Sequence, residues 1–400
     1  MNKSGHADLP LHNGRVPYWL AQRMAKLGGA ITESIVMEYG IDAFMAKLSD
    51  PLWFQSFGCV LGMDWHSSGI TTSVMGALKK ALNPVAHDLG IYVCGGRGKH
   101  SLKTPQELIS LADRTGLDGK KLVQSSKLSA KIDNTAVQDG YTIYLHNFIV
   151  TKAGHWAVIQ QGMNTLNGMA RRYHWYSKVM SSFIKEPHAA VCGQNKGLIL
   201  NLTAEEALET QQGILNLTSE NPETLLTEAR RILMPRHHNV RSRDVDLKRL
   251  GSILALAHEK KVSSFDELLL IRGLGPRTIQ SLTLVSEVIH GTHSRFSDPA
   301  RFSFAHGGKD GHPFPVPLKV YDQTINILKT SVEKARIGLS DKRTALKDLH
   351  RAAVRIEQDF SPVKKNFDEI IKEEKKHSYR YGGMTAAGPS KPPNEQLSLF

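Results

Sequence analysis

The sequence predicts an α+β protein, in which a mixed α/β region at residues 14–200 precedes an all-helical region at residues 201–310. Short segments rich in β-branched and aromatic residues indicate strands in the first region. From Thr203 onward, apolar residues recur at three- and four-residue steps, which is typical of helices. We expect a helical hairpin at residues 318–380 and a disordered tail at residues 381–400.

The mixed region is predicted to begin with a helix at Leu20–Met45. Apolar segments bounded by turn residues predict strands at Val60–Met63, Ile91–Cys94, Tyr141–Val150 and Trp156–Ile159. The last two strands are joined by Thr151–His155, whose Gly154 suits the loop of a β-hairpin. We therefore expect these two strands to pair with each other.

The later part of the chain has helical periodicity on both sides of a proline-rich break. A basic stretch at Arg230–Arg249 is followed by an apolar helical face at Leu247, Leu250, Leu254 and Ala257. Beyond Asp310–Pro317, apolar residues follow a coiled-coil-like rhythm at Tyr321, Ile325, Leu328, Val332, Ala335 and Leu339, and then at Leu346, Leu349, Ala353, Ile356 and Phe360. We interpret this rhythm as two helices packed against each other. Gly382–Glu395 has the composition of a disordered linker.

The overall composition limits which binding partners and which cellular compartment are plausible for this protein. The net charge of +13 favours a polyanionic partner, most often nucleic acid. The three cysteines, an odd number, argue against a disulfide framework and suit a reducing cytoplasm. No segment has the uninterrupted apolar length of a membrane helix, and Met1–Gly14 lacks the apolar core of a signal peptide. We expect a cytoplasmic protein with no membrane partner.

The clearest motif lies between Ser264 and Ile289. Ser264 and Glu267 form a capping box that starts a first helix, and Pro276 starts a second. The glycines between the helices allow a tight turn and a close approach to a ligand, and the N–H groups at the start of the second helix attract a phosphate. The predicted DNA-binding residues are Arg272, Gly273, Leu274, Gly275, Pro276, Arg277 and Thr278. Because none of them is expected to reach a base edge, binding should be independent of sequence.

This segment resembles the helix-hairpin-helix of DNA repair proteins, although Ile279 is bulkier than the alanine usual at its position. The resemblance implies DNA binding. Some DNA glycosylases share the motif and carry a catalytic lysine where Arg277 stands, followed by an aspartate, and Asp298 lies a few residues beyond the usual place. A guanidinium group stays protonated and cannot form a Schiff base, so the resemblance leaves open only a glycosylase without lyase activity.

The chain ends in a pentapeptide that resembles the motif by which bacterial polymerases and repair proteins bind the sliding clamp. Its predicted clamp-binding residues are Gln396, Leu397, Leu399 and Phe400. The three apolar side chains suit apolar pockets, and a disordered linker would leave the peptide able to fold onto a partner. The resemblance implies a bacterial sliding clamp as a second partner.

Polar residues are concentrated among the predicted strands, and they suggest a catalytic site. Carboxylate and imidazole groups are ligands for Mg²⁺ or Mn²⁺, and phosphodiester hydrolysis commonly uses such a metal site. The candidate catalytic residues are Asp64, His66, Asp133, Asp139 and His146, of which Asp64, Asp133 and Asp139 are the candidate metal ligands. Arg171–Trp175 mixes cations and aromatic residues, as nucleic-acid surfaces often do.

Across residues 14–320 the chain resembles an uncharacterised bacterial and archaeal family, DUF763. The matching stretches are Trp53–Thr72, Cys94–Lys99, Gln138–Gly140, Gln160–Asn164, Ala170–Trp175 and Ser303–Asp310. This resemblance implies no established activity and no catalytic residues.

Three functions remain open at this point. The first is a DNA repair or replication protein that grips DNA by the helix-hairpin-helix, is tethered to the sliding clamp and acts as a metal-dependent nuclease. The second is a glycosylase that uses Asp298. The third is a non-catalytic DNA-binding adaptor, in which the polar residues of the mixed region are structural.

Overall fold

A five-stranded antiparallel sheet forms the centre of the protein, with the order β1-β3-β4-β5-β6, and a three-stranded sheet has the order β2-β7-β8. The computed structural model describes residues 16–63, 68–223, 225–226, 247–300, 318–358, 384–385 and 388–389. The strands are β1 Ile91–Arg97, β2 Val137–Gln138, β3 Thr142–Thr151, β4 Trp156–Asn164, β5 Met169–Tyr176, β6 Ala190–Cys192, β7 Leu198–Asn201 and β8 Phe296–Ser297. The predicted α+β class is confirmed.

Helices cover both faces of the large sheet. They are α1 Tyr18–Tyr39, α2 Ile41–Ser49, α3 Pro51–Val60, α4 Gly69–Leu82, α5 Ala86–Leu89, α6 Thr104–Thr115, α7 Gly119–Lys131, α8 Leu208–Ser219, α9 Leu247–Glu259, α10 Phe265–Leu269, α11 Pro276–His290, α12 Leu318–Lys334 and α13 Leu339–Gln358. Local capping explains where α3 begins, because the Asp50 carboxylate accepts hydrogen bonds from the N–H groups of Leu52 and Trp53.

The predicted hairpin of β3 and β4 is confirmed, with Val150 opposite Trp156 and Gly154 at a φ of 82° in the loop. The predicted strand at Val60–Met63 is wrong, because this segment is the end of α3 and the turn after it. Every residue of α3 is buried, so its apolar side chains do not reveal a helical period. The helix predicted at Leu20–Met45 is two helices, since Gly40 at a φ of 85° separates α1 from α2.

One face of the large sheet packs against the N-terminal helices, and the C-terminal helix pair, α12 and α13, packs on two of these helices, α1 and α3. Its buried strand residues include Ile149 and Ile159, which share an apolar cluster with Phe57 of α3. Leu328 of α12 and Leu349 of α13 belong to the same cluster. The coiled-coil-like rhythm of the C-terminal pair therefore reflects two helices that pack on the rest of the protein, as well as on each other.

The opposite face of the sheet contributes Phe148, Val158 and Trp175 to a second apolar cluster. This cluster continues through α7 and α8 into the helices of the predicted DNA-binding segment, where it includes Leu268 and Leu282. The segment that resembles a helix-hairpin-helix is therefore packed on the body of the protein through a continuous core.

Among the described residues, no helix has the length and apolar character needed to cross a membrane. Within the segment predicted to be a disordered tail, Met384–Thr385 (β9) and Gly388–Pro389 (β10) form a short antiparallel pair. The clamp-like pentapeptide, Gln396–Phe400, lies outside the described residues, as does most of the basic stretch Arg230–Arg249.

Candidate functional site

The Gly-Leu-Gly hairpin, which we define as residues 264–289, folds into two helices and a tight turn, as its sequence predicts. The Ser264 hydroxyl caps α10 by accepting the N–H group of Glu267. Gly273 has a φ of 93°, in the region that favours glycine, and Gly275 immediately precedes Pro276, the first residue of α11. The Leu274 side chain is buried in the cluster that underlies the hairpin.

Side chains from elsewhere in the protein donate hydrogen bonds to three backbone carbonyl oxygens of this turn. Arg249 donates to the Gly273 oxygen, with its Nη2 atom at 3.0 Å. Lys131, at the end of α7, donates to the Leu274 oxygen. Gln138 donates its amide N–H to the oxygen of Pro276 at 2.7 Å. The turn is thus held on its carbonyl side by groups from α9, α7 and β2.

The N–H groups of the turn have fewer partners. Thr278 and Ile279 donate to the Gly275 oxygen, as expected for the first turn of a helix. Within the described residues, the N–H groups of Gly275 and Arg277 form no hydrogen bond to the backbone. Helix starts leave such N–H groups without an intrahelical partner, and they carry the positive end of the helix dipole. The geometry can therefore bind an anion.

Positive charge surrounds the turn. The side chains of Arg272 and Arg277 are exposed on its two sides. None of the ion pairs formed among the described residues involves Arg272, Arg277 or Lys131. Burial lowers the pKa of Lys131, and the nearby charge of Arg249 lowers it further. Lys131 and Arg249, which bind neighbouring carbonyl oxygens of the turn, thus place two positive charges beside the hairpin.

Asp133, a candidate catalytic residue and metal ligand, is fully buried in the turn Ile132–Ala136 that follows α7. Its carboxylate accepts hydrogen bonds from Trp175 Nε1 at 2.9 Å, from Gln160 Nε2 and from His188 Nε2. The edge of the His188 ring packs against Trp175, with ring centroids 4.6 Å apart. A metal ion at Asp133 would have to displace one of these donors.

His146, another candidate catalytic residue, belongs to the same buried network. Its Nε2 atom lies 2.8 Å from the Ser126 hydroxyl, and its Nδ1 atom lies 2.7 Å from Gln160 Oε1. Burial lowers the pKa of His146, although the hydrogen bond to Gln160 opposes this effect. Both ring nitrogens are therefore occupied inside the core.

Asp139, the third described candidate, forms a separate buried ion-pair network. Its carboxylate accepts hydrogen bonds from Arg171 Nη1 at 2.9 Å, from the Tyr173 hydroxyl at 2.6 Å and from the Tyr141 N–H at 2.9 Å. Arg171 also donates through two nitrogens to Asp298, at 2.9 and 2.8 Å. The aspartate of the glycosylase alternative is thus bound to a guanidinium group and is 2% exposed.

Asp64 and His66 lie outside the described residues. Among the residues that are described, no group of three or more His, Cys, Asp or Glu side chains is arranged to hold a metal ion. The structure brings Asp133 and His146 into one network through Gln160, and it gives Asp139 a different set of partners. The Mg²⁺ or Mn²⁺ site stays a prediction.

A family model described as a protein of unknown function, DUF763, matches residues 5–316. The chain belongs to the DUF763 family. No curated protein and no solved structure matches the chain. The DUF763 match includes both buried networks and the Gly-Leu-Gly hairpin, and it ends before α12 begins at Leu318.

The DUF763 stretch Arg171–Trp175 is not the nucleic-acid surface that its cations and aromatic residues suggest. It lies in β5, and its five residues are fully buried. Arg172 donates to Gln55 Oε1 at 2.8 Å and to the Thr71 hydroxyl at 3.3 Å, and it stacks on Phe54. The cations of this strand are therefore bound inside the core by groups of the protein itself.

Sequence reasoning missed Lys131 and His188. Lys131 is one of several lysines on an amphipathic helix, and only the folded chain brings it to the hairpin. His188 lies between strands in a segment without a motif, so no local signal marks it as a partner of Asp133. Burial raises the pKa of the Cys94 and Cys192 thiols to about 12, which agrees with their being core residues rather than nucleophiles.

Proposed function

We propose that this protein binds the DNA backbone through the Gly-Leu-Gly hairpin, without sequence preference, in DNA repair or replication. The observation that carries the proposal is the hairpin's geometry: its carbonyl groups are bound by side chains, while N–H groups at Gly275 and Arg277 have no backbone partner among the described residues. Backbone N–H groups at a helix start suit a phosphate oxygen.

The charges around the turn support the same ligand. Arg272 and Arg277 are exposed on both sides of it, where each can donate to a phosphate. Lys131 and Arg249 bind the carbonyl oxygens of Leu274 and Gly273, so these oxygens do not oppose an approaching anion. The net charge of +13 favours a polyanion such as DNA over a single small anion.

The hairpin offers backbone N–H groups and the guanidinium groups of Arg272 and Arg277, and both kinds of donor suit phosphate oxygens. Contacts to phosphates fix the position of a protein on DNA and do not read the bases. We therefore propose that the hairpin recognises duplex structure, and that the tail peptide Gln396–Phe400 delivers the protein to a bacterial sliding clamp.

Fluorescence anisotropy with two labelled duplexes of equal length and unrelated sequence tests the proposal. We expect the two dissociation constants to agree within about twofold and to rise steeply with salt, because cations are released from the phosphates. The double variant Arg272→Gln/Arg277→Gln should reduce the salt slope by up to about 2, which corresponds to two lost phosphate contacts.

Lys152→Gln is the matched control, since Lys152 is exposed in the loop between β3 and β4. It should leave both the affinity and the salt slope unchanged. Saturable binding to one duplex and none to the other would contradict backbone recognition, and the absence of binding to both would contradict the proposal as a whole.

The non-catalytic adaptor is the second candidate function. It is favoured by the buried carboxylates of Asp133, Asp139 and Asp298, because each carboxylate already accepts hydrogen bonds from the protein. Incubation with labelled duplex, gapped and branched DNA in Mg²⁺ or Mn²⁺ separates the candidates. Intact DNA agrees with the adaptor, whereas cleavage that Asp64→Asn abolishes would restore the predicted nuclease.

A further inference from the structure

A cleft of about 310 Å³ lies between α11, the second helix of the hairpin, and the small sheet. Gln138 and Leu200 line it from the sheet, and Gln280 and Leu284 line it from α11. Lys196 and Arg295 complete its wall from the segments beside β7 and β8. The volume is at the lower end of the range of roughly 300–1,000 Å³ that is usual for small-molecule sites.

The cleft adjoins the proposed phosphate site. Gln138 lines the cleft and also donates to the oxygen of Pro276, the first residue of α11. Gln280 lies one helical turn beyond Pro276, which is a distance of about 6 Å along the helix axis. A DNA strand held at the start of α11 therefore has the cleft within reach of its next nucleotide.

The charges of the cleft suit a nucleotide. Lys196 and Arg295 are exposed cations in its wall. Asp139 also lines the cleft, but its carboxylate accepts hydrogen bonds from Arg171 and from the Tyr173 hydroxyl. The Lys196 ammonium lies 4.8 Å from the centre of the Tyr141 ring. Arg171 is shared by the carboxylates of Asp139 and Asp298, which leaves one negative charge. Lys196 and Arg295 add two positive charges, so the groups around the cleft sum to +1 and attract a phosphate.

The remaining walls suit a base. The half-buried Leu200 provides apolar surface from the sheet side of the cleft, while Gln280 of α11 provides an amide that can donate and accept hydrogen bonds. The flat apolar faces and the polar edge of a nucleic-acid base match this lining. A paired base in a duplex cannot enter the cleft, because its faces are stacked on neighbouring bases and its edge is hydrogen-bonded to its partner. The occupant that fits is an unpaired nucleotide.

We propose that this cleft binds one unpaired nucleotide of the DNA that the hairpin holds, so that the protein prefers duplexes interrupted by a single strand. The proposal rests on the proposed function, since the hairpin must place the DNA beside the cleft. The hairpin alone would bind any duplex, whereas the cleft would make the protein prefer a duplex that adjoins a single strand.

The test compares a labelled blunt duplex with the same duplex carrying a short single-stranded extension of either polarity. Full-length wild-type protein should bind an extended duplex about tenfold more tightly than the blunt one. The double variant Lys196→Gln/Arg295→Gln should lose this preference and keep its affinity for the blunt duplex. Gln280→Trp should have the same effect, because an indole from the half-exposed position 280 would fill the cleft without changing its charge.

Lys152→Gln, outside the cleft, should retain the preference. Equal affinity of the wild-type protein for blunt and extended duplexes would overturn the cleft proposal while leaving the hairpin proposal intact. A preference that survives both Lys196→Gln/Arg295→Gln and a folded Gln280→Trp would also overturn it. Failure to bind any duplex would instead contradict the proposed function on which the cleft proposal depends.

Discussion

The side-chain ammonium of Lys131 donates a hydrogen bond to the carbonyl oxygen of Leu274, although the two residues are 143 positions apart in the chain. Lys131 is the last residue of α7, and Leu274 is the central residue of the Gly-Leu-Gly turn. The contact ties the hairpin to the helix that covers the large sheet. The turn is therefore held in one geometry without a ligand, and under the proposed function this would reduce the entropy lost on binding DNA.

Lys131→Met keeps most of the aliphatic stem of this side chain and removes the donor. We expect DNA affinity to fall about tenfold, since a hydrogen bond from a charged donor contributes roughly 1.5 kcal/mol. Lys131→Arg should recover part of the loss. Lys120→Met, near the other end of α7, is the control and should bind DNA like the wild type in an anisotropy titration. Unchanged affinity in a folded Lys131→Met protein would show that the hydrogen bond from Lys131 to Leu274 does not contribute to DNA binding.

Arg171→Gln should lower the free energy of unfolding by about 3–5 kcal/mol, because it leaves the buried carboxylates of Asp139 and Asp298 without their shared cation. Urea unfolding followed by circular dichroism measures the change. Arg336→Gln, at an exposed position, should change stability by less than about 0.5 kcal/mol. A loss of under about 1 kcal/mol in Arg171→Gln would contradict the role that we assign to this network.

The buried His146 predicts a pH dependence of stability. Burial lowers the pKa of His146 in the folded protein below the ordinary value of 6.5. Above pH 6.5 the imidazole is therefore neutral in both the folded and the unfolded protein, and the full free energy of unfolding is present. As the pH falls below 6.5, the unfolded state takes up a proton that the folded state does not, and stability falls by up to about 1.4 kcal/mol per pH unit. His146→Gln should flatten the decrease in unfolding free energy between pH 6.5 and 5, whereas His87→Gln, at an exposed position, should not. Equal slopes in wild type and His146→Gln would rule out this source of acid sensitivity.

The hairpin could be predicted from the sequence because its signals are local. The Ser264 cap, the positive φ at Gly273 and the start of α11 at Pro276 depend on neighbouring residues alone. The same holds for the β3–β4 hairpin, whose loop needs Gly154. Local rules were enough for these elements.

The buried networks could not be predicted, because burial depends on residues that are distant in the chain. Arg171 finds Asp298 across 127 positions, so neither residue has a local sign of its partner. The sequence therefore suggested an exposed basic surface at Arg171–Trp175 where the structure has a core strand. Likewise, α3 is buried on every side and has no amphipathic period to distinguish its end from a strand.

Deletion of Gln396–Phe400 should abolish binding to a bacterial sliding clamp and leave DNA affinity unchanged in the absence of the clamp. A predicted disordered linker at Gly382–Glu395 joins the pentapeptide to the rest of the chain, so we expect its removal to leave the hairpin unchanged. An isolated tail peptide should bind the clamp with roughly micromolar affinity, because it must become ordered on binding. Leu399→Ala/Phe400→Ala should match the deletion, and Ser398→Ala is the control. No saturable binding of the wild-type peptide by calorimetry would contradict the clamp prediction.

The most direct measurement of the central claim uses Gly275→Val. Gly275 has a φ of −136°, which any residue adopts, and among the described residues a Cβ atom there would meet no atom within 4 Å. The variant should therefore fold, at a cost of at most about 1 kcal/mol in N-cap preference. If the backbone at Gly275 contacts a phosphate, the valine side chain will hold that phosphate away. Anisotropy titration with a labelled duplex should then give a dissociation constant at least about tenfold higher than that of the wild type. Equal affinity of the wild type and a Gly275→Val protein with the same circular dichroism spectrum would contradict DNA binding through this hairpin.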